Sequence, residues 1–156
     1  MSDLESTQSE RWLKGLLRLI GTLSLGAVAF VMAPHSWMIS IHSWLGMGQL
    51  PDSPVVWYLA RSTSAFYALT GGVLWITSLD PCRYRVLLIY LGATISLFGV
   101  VLLVVDWWEG MPMFWILWEG PFVLLFGLAV YVLSRAVGAG PSRQRTTKRS
   151  EYRNST

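Results

Sequence analysis

The chain is poor in cysteine and in charge. Cys82 is the single cysteine among 156 residues, which excludes an internal disulfide and a metal cluster built from cysteines. Charged residues make up 13% of the chain and hydrophobic residues 53%, whereas soluble globular domains carry about 25% charged residues. The sequence also has no phosphate-binding glycine-rich loop and no zinc-binding motif. This composition is typical of an integral membrane protein.

Lysine and arginine are missing from the connections at 34–54 and 106–111. Eleven of the twelve basic residues fall on segments that four membrane crossings would place on one side: Arg11, Lys14, Arg18, Arg83, Arg85, Arg135, Arg143, Arg145, Lys148, Arg149 and Arg153. Seven of the nine tryptophans fall toward the other side: Trp37, Trp44, Trp57, Trp107, Trp108, Trp115 and Trp118. Basic residues are retained in cytoplasmic loops, and tryptophan settles at the membrane–water boundary.

This sorting predicts a multi-pass protein of the bacterial cytoplasmic (inner) membrane, with both termini in the cytoplasm. The lipid bilayer is its expected partner. A net charge of +3 would also fit a nucleic-acid-binding protein. However, the basic residues flank apolar stretches, as topology signals do, so we expect no nucleic-acid partner.

Four apolar stretches of the length needed to cross a bilayer predict transmembrane helices at about 16–33, 55–77, 86–105 and 112–134. The predicted fold is therefore all-α: a four-helix transmembrane bundle with short loops, forming a single domain over residues 1–137.

Three segments outside these spans also carry predictions. Residues 1–12 are polar and of mixed charge, which predicts a mobile leader. Apolar residues recur at near-helical spacing within 35–50, which predicts a short amphipathic helix in the outer interface; an irregular loop is the alternative. The basic tail at 138–156 is predicted to be disordered and to lie against anionic lipids. A role in topology alone is the alternative for the tail.

Charged residues inside the spans indicate a candidate site. Arg61 lies about two turns inside the second span, and Glu119 lies about two turns inside the fourth span. Asp106 lies at the end of the third span. Arg61 shares a helical stripe with Ala65, Ala68 and Gly72, and Asp106 shares one with Gly92, Ser96, Gly99 and Leu103. Because small residues let helices approach closely, both stripes are expected to face neighbouring helices.

This arrangement would place Arg61 inside the bundle, near Asp106, Glu119 or both. Tyr58 and Ser64 would add hydroxyl groups to the same polar cluster on the outward side. The cluster is either a pocket for a small molecule or proton, or an ion pair that fixes helix register. His35 and His42 would share a helix face, but two histidines without a third ligand do not predict a metal site. We predict no catalytic residues, no metal and no cofactor.

Several strings together resemble the BphX-like group of small bacterial four-helix membrane proteins. They cover about residues 44–134 and include Tyr58-Leu59-Ala60-Arg61-Ser62, Arg83-Tyr84-Arg85, Gly110-Met111-Pro112 and Glu119-Gly120-Pro121. The resemblance implies an inner-membrane protein whose biochemical role is not established, and it implies no catalytic residues.

The exposed segments are too short to form a soluble catalytic domain. The leading hypothesis is therefore a non-enzymatic membrane protein, either a helper of a membrane-protein partner or a small-ligand-binding subunit. The first alternative is a transport or channel subunit that acts as a homo-oligomer. The second is a quinone-linked or other membrane redox subunit.

Overall fold

The computed structural model describes the backbone of residues 2–137 and the side chains of residues 8–137. This part of the chain contains no β-strand, and its helices are α1 Ser2–Gly26, α2 Val28–Val31, α3 His35–Trp44, α4 Pro54–Leu79, α5 Arg85–Trp108 and α6 Met113–Ala136. The predicted all-α class is confirmed. The tail predicted over 138–156 lies outside the described residues.

Three helical segments are long and apolar enough to cross a membrane: Gln8–Val31, Arg85–Trp108 and Met113–Ala136. They correspond to three of the four predicted spans. The other predicted span, 55–77, lies within α4, which has 26 residues. Arg61 and the hydroxyl residues beside it make α4 less apolar than α5 and α6.

The leader predicted over 1–12 is helical from Ser2 onward instead. Glu10 and Lys14 form an ion pair of 2.7 Å one turn apart, a pairing that supports a helix in water. Leu13 and Leu17, also one turn apart, are fully buried. The polar residues thus continue the helix beyond the apolar span.

A break at Ala27 separates α1 from α2. The Ala27 amide donates to Ser24 O at 3.1 Å and the Phe30 amide donates to Ala27 O at 3.0 Å. Both bonds span three residues, whereas α-helical bonds span four. Pro34 then precedes α3. The presence of α3 confirms the helix predicted in the first long connection, and its place at a membrane interface stays a prediction.

The most extensive helix contact is that between α5 and α6, which run antiparallel on either side of the turn at 109–112. Their backbones touch at glycines. A methyl group added at Gly92 would meet the backbone of Tyr131, one at Gly99 would meet the backbone of Leu124, and one at Gly127 would meet Ser96. The stripe predicted on α5 is therefore the face that packs.

The second helix pair is α1 with α4, also antiparallel. Gly21 and Gly71 meet backbone to backbone, and the Trp75 indole Nε1 donates to Thr22 Oγ1 at 3.0 Å. A smaller contact between α1 and α6 joins the two pairs.

One end of the bundle holds the main apolar core, and we call it the closed end. Buried residues of all four long helices meet there: Leu13, Leu17, Leu74, Leu88 and Val130, together with Val137. Arg85 links α5 to α6 at this end. Its Nε donates to Ser134 O at 3.0 Å and its Nη2 donates to Arg135 O at 3.2 Å. These carbonyls belong to the last turn of α6, where no helical donor remains.

On α4 the packed face differs from the predicted one. Gly71, Leu74 and Ser78 are buried, whereas an added methyl group at Gly72 would meet nothing within 4 Å. The stripe containing Arg61 and Gly72 thus lies about 100° around the helix from the contact with α1.

Gly71→Ala and Gly72→Ala form a matched test of this packing. The added carbon at residue 71 would lie 2.7 Å from both Gly21 O and Leu25 N, so the helices must separate, and we expect a loss of about 1–3 kcal/mol in unfolding free energy. At residue 72 there is open space, and alanine is the better helix former by about 1 kcal/mol. Thermal unfolding in mild detergent measures both. If Gly72→Ala lowers the unfolding temperature more than Gly71→Ala does, α1 and α4 do not pack through Gly71.

Candidate functional site

Two pockets lie beside α4 at the end opposite the closed end, which we call the open end. This end is formed by α2, α3, the connection from Leu45 to Ser53, the first turns of α4 and the start of α6. The main core of the bundle does not extend there. A smaller apolar cluster of Ala33, Met38 and Trp57 takes its place.

The first pocket, which we call the apolar pocket, has a volume of about 390 Å³. It lies between α2, α3, α4 and α6 and is lined by Phe30, Met38, Ile41, His42, Leu45, Met47, Leu50, Ala60, Ser64 and Trp115. His42 and Ser64 are the polar residues in this lining. Ser64 Oγ donates to Ala60 O at 2.8 Å, so its proton is used by its own helix and its oxygen remains an acceptor.

The second pocket, which we call the Arg61 pocket, has a volume of about 480 Å³. It is lined by His35, Pro54, Trp57, Tyr58, Arg61 and Ser62. The helical period explains why α4 contributes to both pockets. Ala60 and Ser64 lie one turn apart on one face, and Arg61 begins the neighbouring face.

Trp57 connects α4 to the loops at the open end. Its ring stacks on that of His35 with centroids 4.0 Å apart and an angle of 4° between the planes. Its Nε1 donates to Asp52 Oδ1 at 2.9 Å. Because the indole is buried and its polar atom is satisfied, it holds the start of α3 against α4 and supports the wall of the Arg61 pocket.

The two carboxylates predicted for the site lie together on the other side of the open end. Asp106 is 6% exposed, and its Oδ2 has no hydrogen-bond partner among the described residues. Glu119 accepts a hydrogen bond from Trp115 Nε1 and is close enough to Asp106 for their charges to interact.

The turn between α5 and α6 brings these carboxylates together. Gly110 has a φ of 69°, a left-handed conformation that glycine adopts without strain. The Gly110 amide donates to Trp107 O at 3.3 Å and the Met111 amide to Asp106 O at 2.9 Å, as in a Schellman motif. The chain therefore reverses directly after Asp106 and starts α6 beside it.

The structure does not bring Arg61 to these carboxylates. Arg61 is exposed, and the ion pair found in the described part of the chain joins Glu10 and Lys14. Tyr58 lies with Arg61 in the Arg61 pocket, while Ser64 lines the apolar pocket. The five predicted site residues are thus divided among three places, and their assignment to a functional site stays a prediction.

Several residues of the open end were not singled out from the sequence as site residues, among them Met47, Leu50 and Trp115. Trp115 is the most informative, since it lines the apolar pocket and also donates to Glu119. A tryptophan and a glutamate one turn apart on a helix are a detectable signal for this hydrogen bond. The other contacts depend on the path of the 45–53 connection, which has no repeating pattern.

The two histidines have separate environments. His35 stacks on Trp57, whereas His42 Nδ1 lies 3.2 Å from Gly48 O. In the described residues no group of three or more His, Cys, Asp or Glu side chains is placed to hold a metal ion.

No family model, no curated protein and no solved structure matches this chain. The resemblance to the BphX-like group therefore stays a prediction.

Trp115→Phe tests the bond between Trp115 and Glu119. Phenylalanine keeps an aromatic ring on the pocket wall but removes the donor, so the half-buried Glu119 carboxylate loses its partner. We expect the free energy of unfolding to fall by about 1–2 kcal/mol. Thermal unfolding in mild detergent measures the change.

Trp107→Phe is the matched control, because Trp107 is 70% exposed and its replacement should change stability by less than about 0.5 kcal/mol. Equal unfolding midpoints for the two variants would show that the hydrogen bond to Glu119 contributes nothing.

Proposed function

We propose that this chain is a small, non-enzymatic integral membrane protein that binds a small apolar molecule in the apolar pocket. The observation that carries the proposal is the pocket itself, about 390 Å³ in volume and walled by four helices. Ligand-binding pockets typically enclose about 300–1,000 Å³ and combine apolar walls with a few polar groups.

The lining indicates the chemical class of the ligand. Apolar and aromatic side chains form most of the walls, while His42 and Ser64 offer single polar contacts. Met38 and Met47 add flexible thioether side chains that adapt to irregular shapes. An apolar or weakly polar molecule fits this lining, whereas a strongly charged solute would find no counter-charge among the lining residues.

The outer surface of the helices supports a membrane location. Large apolar side chains point away from the bundle along its length, for example Leu23, Val86, Leu97, Leu125 and Val132, each at least 60% exposed. Soluble monomers rarely expose apolar patches larger than a few hundred Å². Lipid acyl chains are the surroundings in which this surface is stable.

The connectivity supports a fourth crossing by α4. The chain leaves α2 at the open end and enters α5 at the closed end, where Arg85 is bonded to the last turn of α6. The connection between these two points is α4, which runs antiparallel to α1. If α1, α5 and α6 cross a bilayer, α4 must also cross it, in spite of Arg61. Its contact with α1 keeps it within the bundle.

The basic residues support one orientation. Arg11, Lys14, Arg18, Arg83 and Arg85 lie toward the closed end, and so does Arg135 at the end of α6. By the positive-inside rule this end is cytoplasmic and both termini are inside. The apolar pocket then opens toward the outer side of a bacterial inner membrane.

Ala60→Leu tests the apolar pocket by filling it. Ala60 lines the pocket from α4, and a larger side chain would occupy the ligand's volume. Native mass spectrometry of the protein released from mild detergent should find a small molecule bound to the parent and absent from this variant. Its loss should also remove the ligand's contribution to thermal stability, about 2.7 kcal/mol at a ligand concentration 100 times Kd.

Ala65→Leu is the matched control, since Ala65 lies on the same helix, is exposed and does not line the pocket. It should keep the bound molecule. If Ala60→Leu folds and carries the same molecule as the parent, the pocket is not the binding site. If the parent carries none and shows no shift with apolar compounds, the proposed function fails.

Cys82 tests the orientation without any engineered cysteine. It is exposed in the short connection between α4 and α5 at the closed end. A membrane-impermeant maleimide should label it in inverted vesicles and leave it unlabelled in spheroplasts. The pKa of the Cys82 thiol is raised, mainly by desolvation and to a lesser degree by the negative charges of Glu10 and Asp80. The positive charge of Lys14 lowers it in part.

The raised pKa sets the pH dependence of labelling. Because the thiolate is the reactive form, Cys82 should react more slowly at pH 7 than a cysteine in a short peptide. Its rate should then rise about tenfold between pH 7 and pH 8.

Gln49→Cys combined with Cys82→Ser moves the thiol to the outer connection, where labelling should occur in spheroplasts. If native Cys82 were labelled in spheroplasts, the closed end would face outward and the proposed orientation would be wrong.

A further inference from the structure

Arg61 has a position that neither the apolar pocket nor the bundle contacts explain. It is the one basic residue between residues 19 and 82. Its side chain is exposed, and among the described residues no carboxylate lies within ion-pair distance of it. A cation on the lipid-facing side of a membrane helix requires a counter-charge or water.

The depth of Arg61 follows from helix length, given the proposed membrane placement of α4. Its 26 residues extend over about 39 Å at 1.5 Å per residue. The hydrocarbon core is about 30 Å thick, so a centred α4 extends about 4–5 Å beyond it at each end. Arg61 then lies about 6 Å below the outer boundary. An arginine side chain can extend over such a distance and place its guanidinium among the headgroups.

The neighbours of Arg61 form a site at that level. Tyr58 and Ser62 supply hydroxyl groups, and the stacked rings of His35 and Trp57 form a wall. The pocket of about 480 Å³ has room for a headgroup. A guanidinium presents planar paired donors that match the oxygens of a phosphate group.

The surface below the Arg61 pocket is apolar and open. Phe66 and Leu69 lie beyond Arg61 on the face of α4 that carries Tyr58, and they are 68% and 65% exposed. They continue from the pocket toward the membrane centre. A ligand with a phosphate at the headgroup level and acyl chains below it matches both parts of this surface.

We propose that the Arg61 pocket binds the phosphate of an outer-leaflet phospholipid, whose acyl chains lie along the exposed face of α4. The guanidinium of Arg61 pairs with the phosphate, and the hydroxyls of Tyr58 and Ser62 donate to its oxygens. This lipid site is separate from the apolar pocket, because none of its lining residues is shared with that pocket.

The experiment uses the full chain purified in mild detergent. Short-chain phosphatidylglycerol is titrated in, with diacylglycerol of the same chain length as the comparison lacking phosphate, and binding is followed by microscale thermophoresis. We expect saturable binding of the phospholipid and none of the diacylglycerol at equal concentration. Arg61→Gln should weaken phospholipid binding about tenfold, the usual effect of losing a charge-assisted contact.

Arg83→Gln is the matched control, because it removes an arginine at the closed end and should leave the affinity unchanged. The lipid site would be overturned if the parent bound no phospholipid, and also by any of four further results. They are equal binding of diacylglycerol by the parent, unchanged affinity in Arg61→Gln, displacement of the lipid by inorganic phosphate, and a change of oligomeric mass in Arg61→Gln. The third would indicate a soluble phosphate compound, and the fourth a contact with a second copy of the chain.

The proposed membrane placement and the lipid site fail in different ways. An incorrect placement appears as labelling of Cys82 from outside the spheroplast. An incorrect lipid site appears as absent phospholipid binding while Cys82 is labelled from the cytoplasmic side, as expected.

Discussion

The close approach of helix backbones at glycine is the constraint on which the rest of this structure depends. Lipid chains are as apolar as the helices, so the hydrophobic effect does not draw helices together within a bilayer, and close packing must do so. Gly92 and Gly127 allow α5 and α6 to touch, and Gly21 and Gly71 do the same for α1 and α4. These contacts fix the register that places Trp115 and Glu119 at the open end.

The two ends of the bundle differ in how closely the helices pack. The closed end combines the main apolar core with the hydrogen bonds of Arg85 to the last turn of α6, and it holds the four long helices together. At the open end the helices separate enough for two pockets, and the connection after α3 adds Leu45, Met47 and Leu50 to the helical walls of the apolar pocket. Close packing at one end is thereby combined with two pockets at the other.

The spacing of small residues is sufficient to predict the packed face of α5 but not that of α4. The small residues of α5 correctly predict the face that packs, because Gly92, Ser96 and Gly99 repeat over two turns. On α4 two adjacent glycines give two equally good stripes, and the choice depends on which helix packs there. The predicted stripe runs through Gly72, whereas the stripe through Gly71 packs on α1, and Arg61 therefore does not reach the carboxylates. Long-range contacts such as Trp57 with His35 have no local signature.

The break at Ala27 has a mechanical consequence. Phe30 lines the apolar pocket from α2, whereas the residues of α1 that enter the main core lie well before the break. Around Ala27 the backbone is held by three-residue bonds, whose geometry is poorer than that of α-helical bonds. A tilt of α2 at this joint would therefore move Phe30 relative to the other pocket walls without disturbing the packing of Leu13 and Leu17 in the main core.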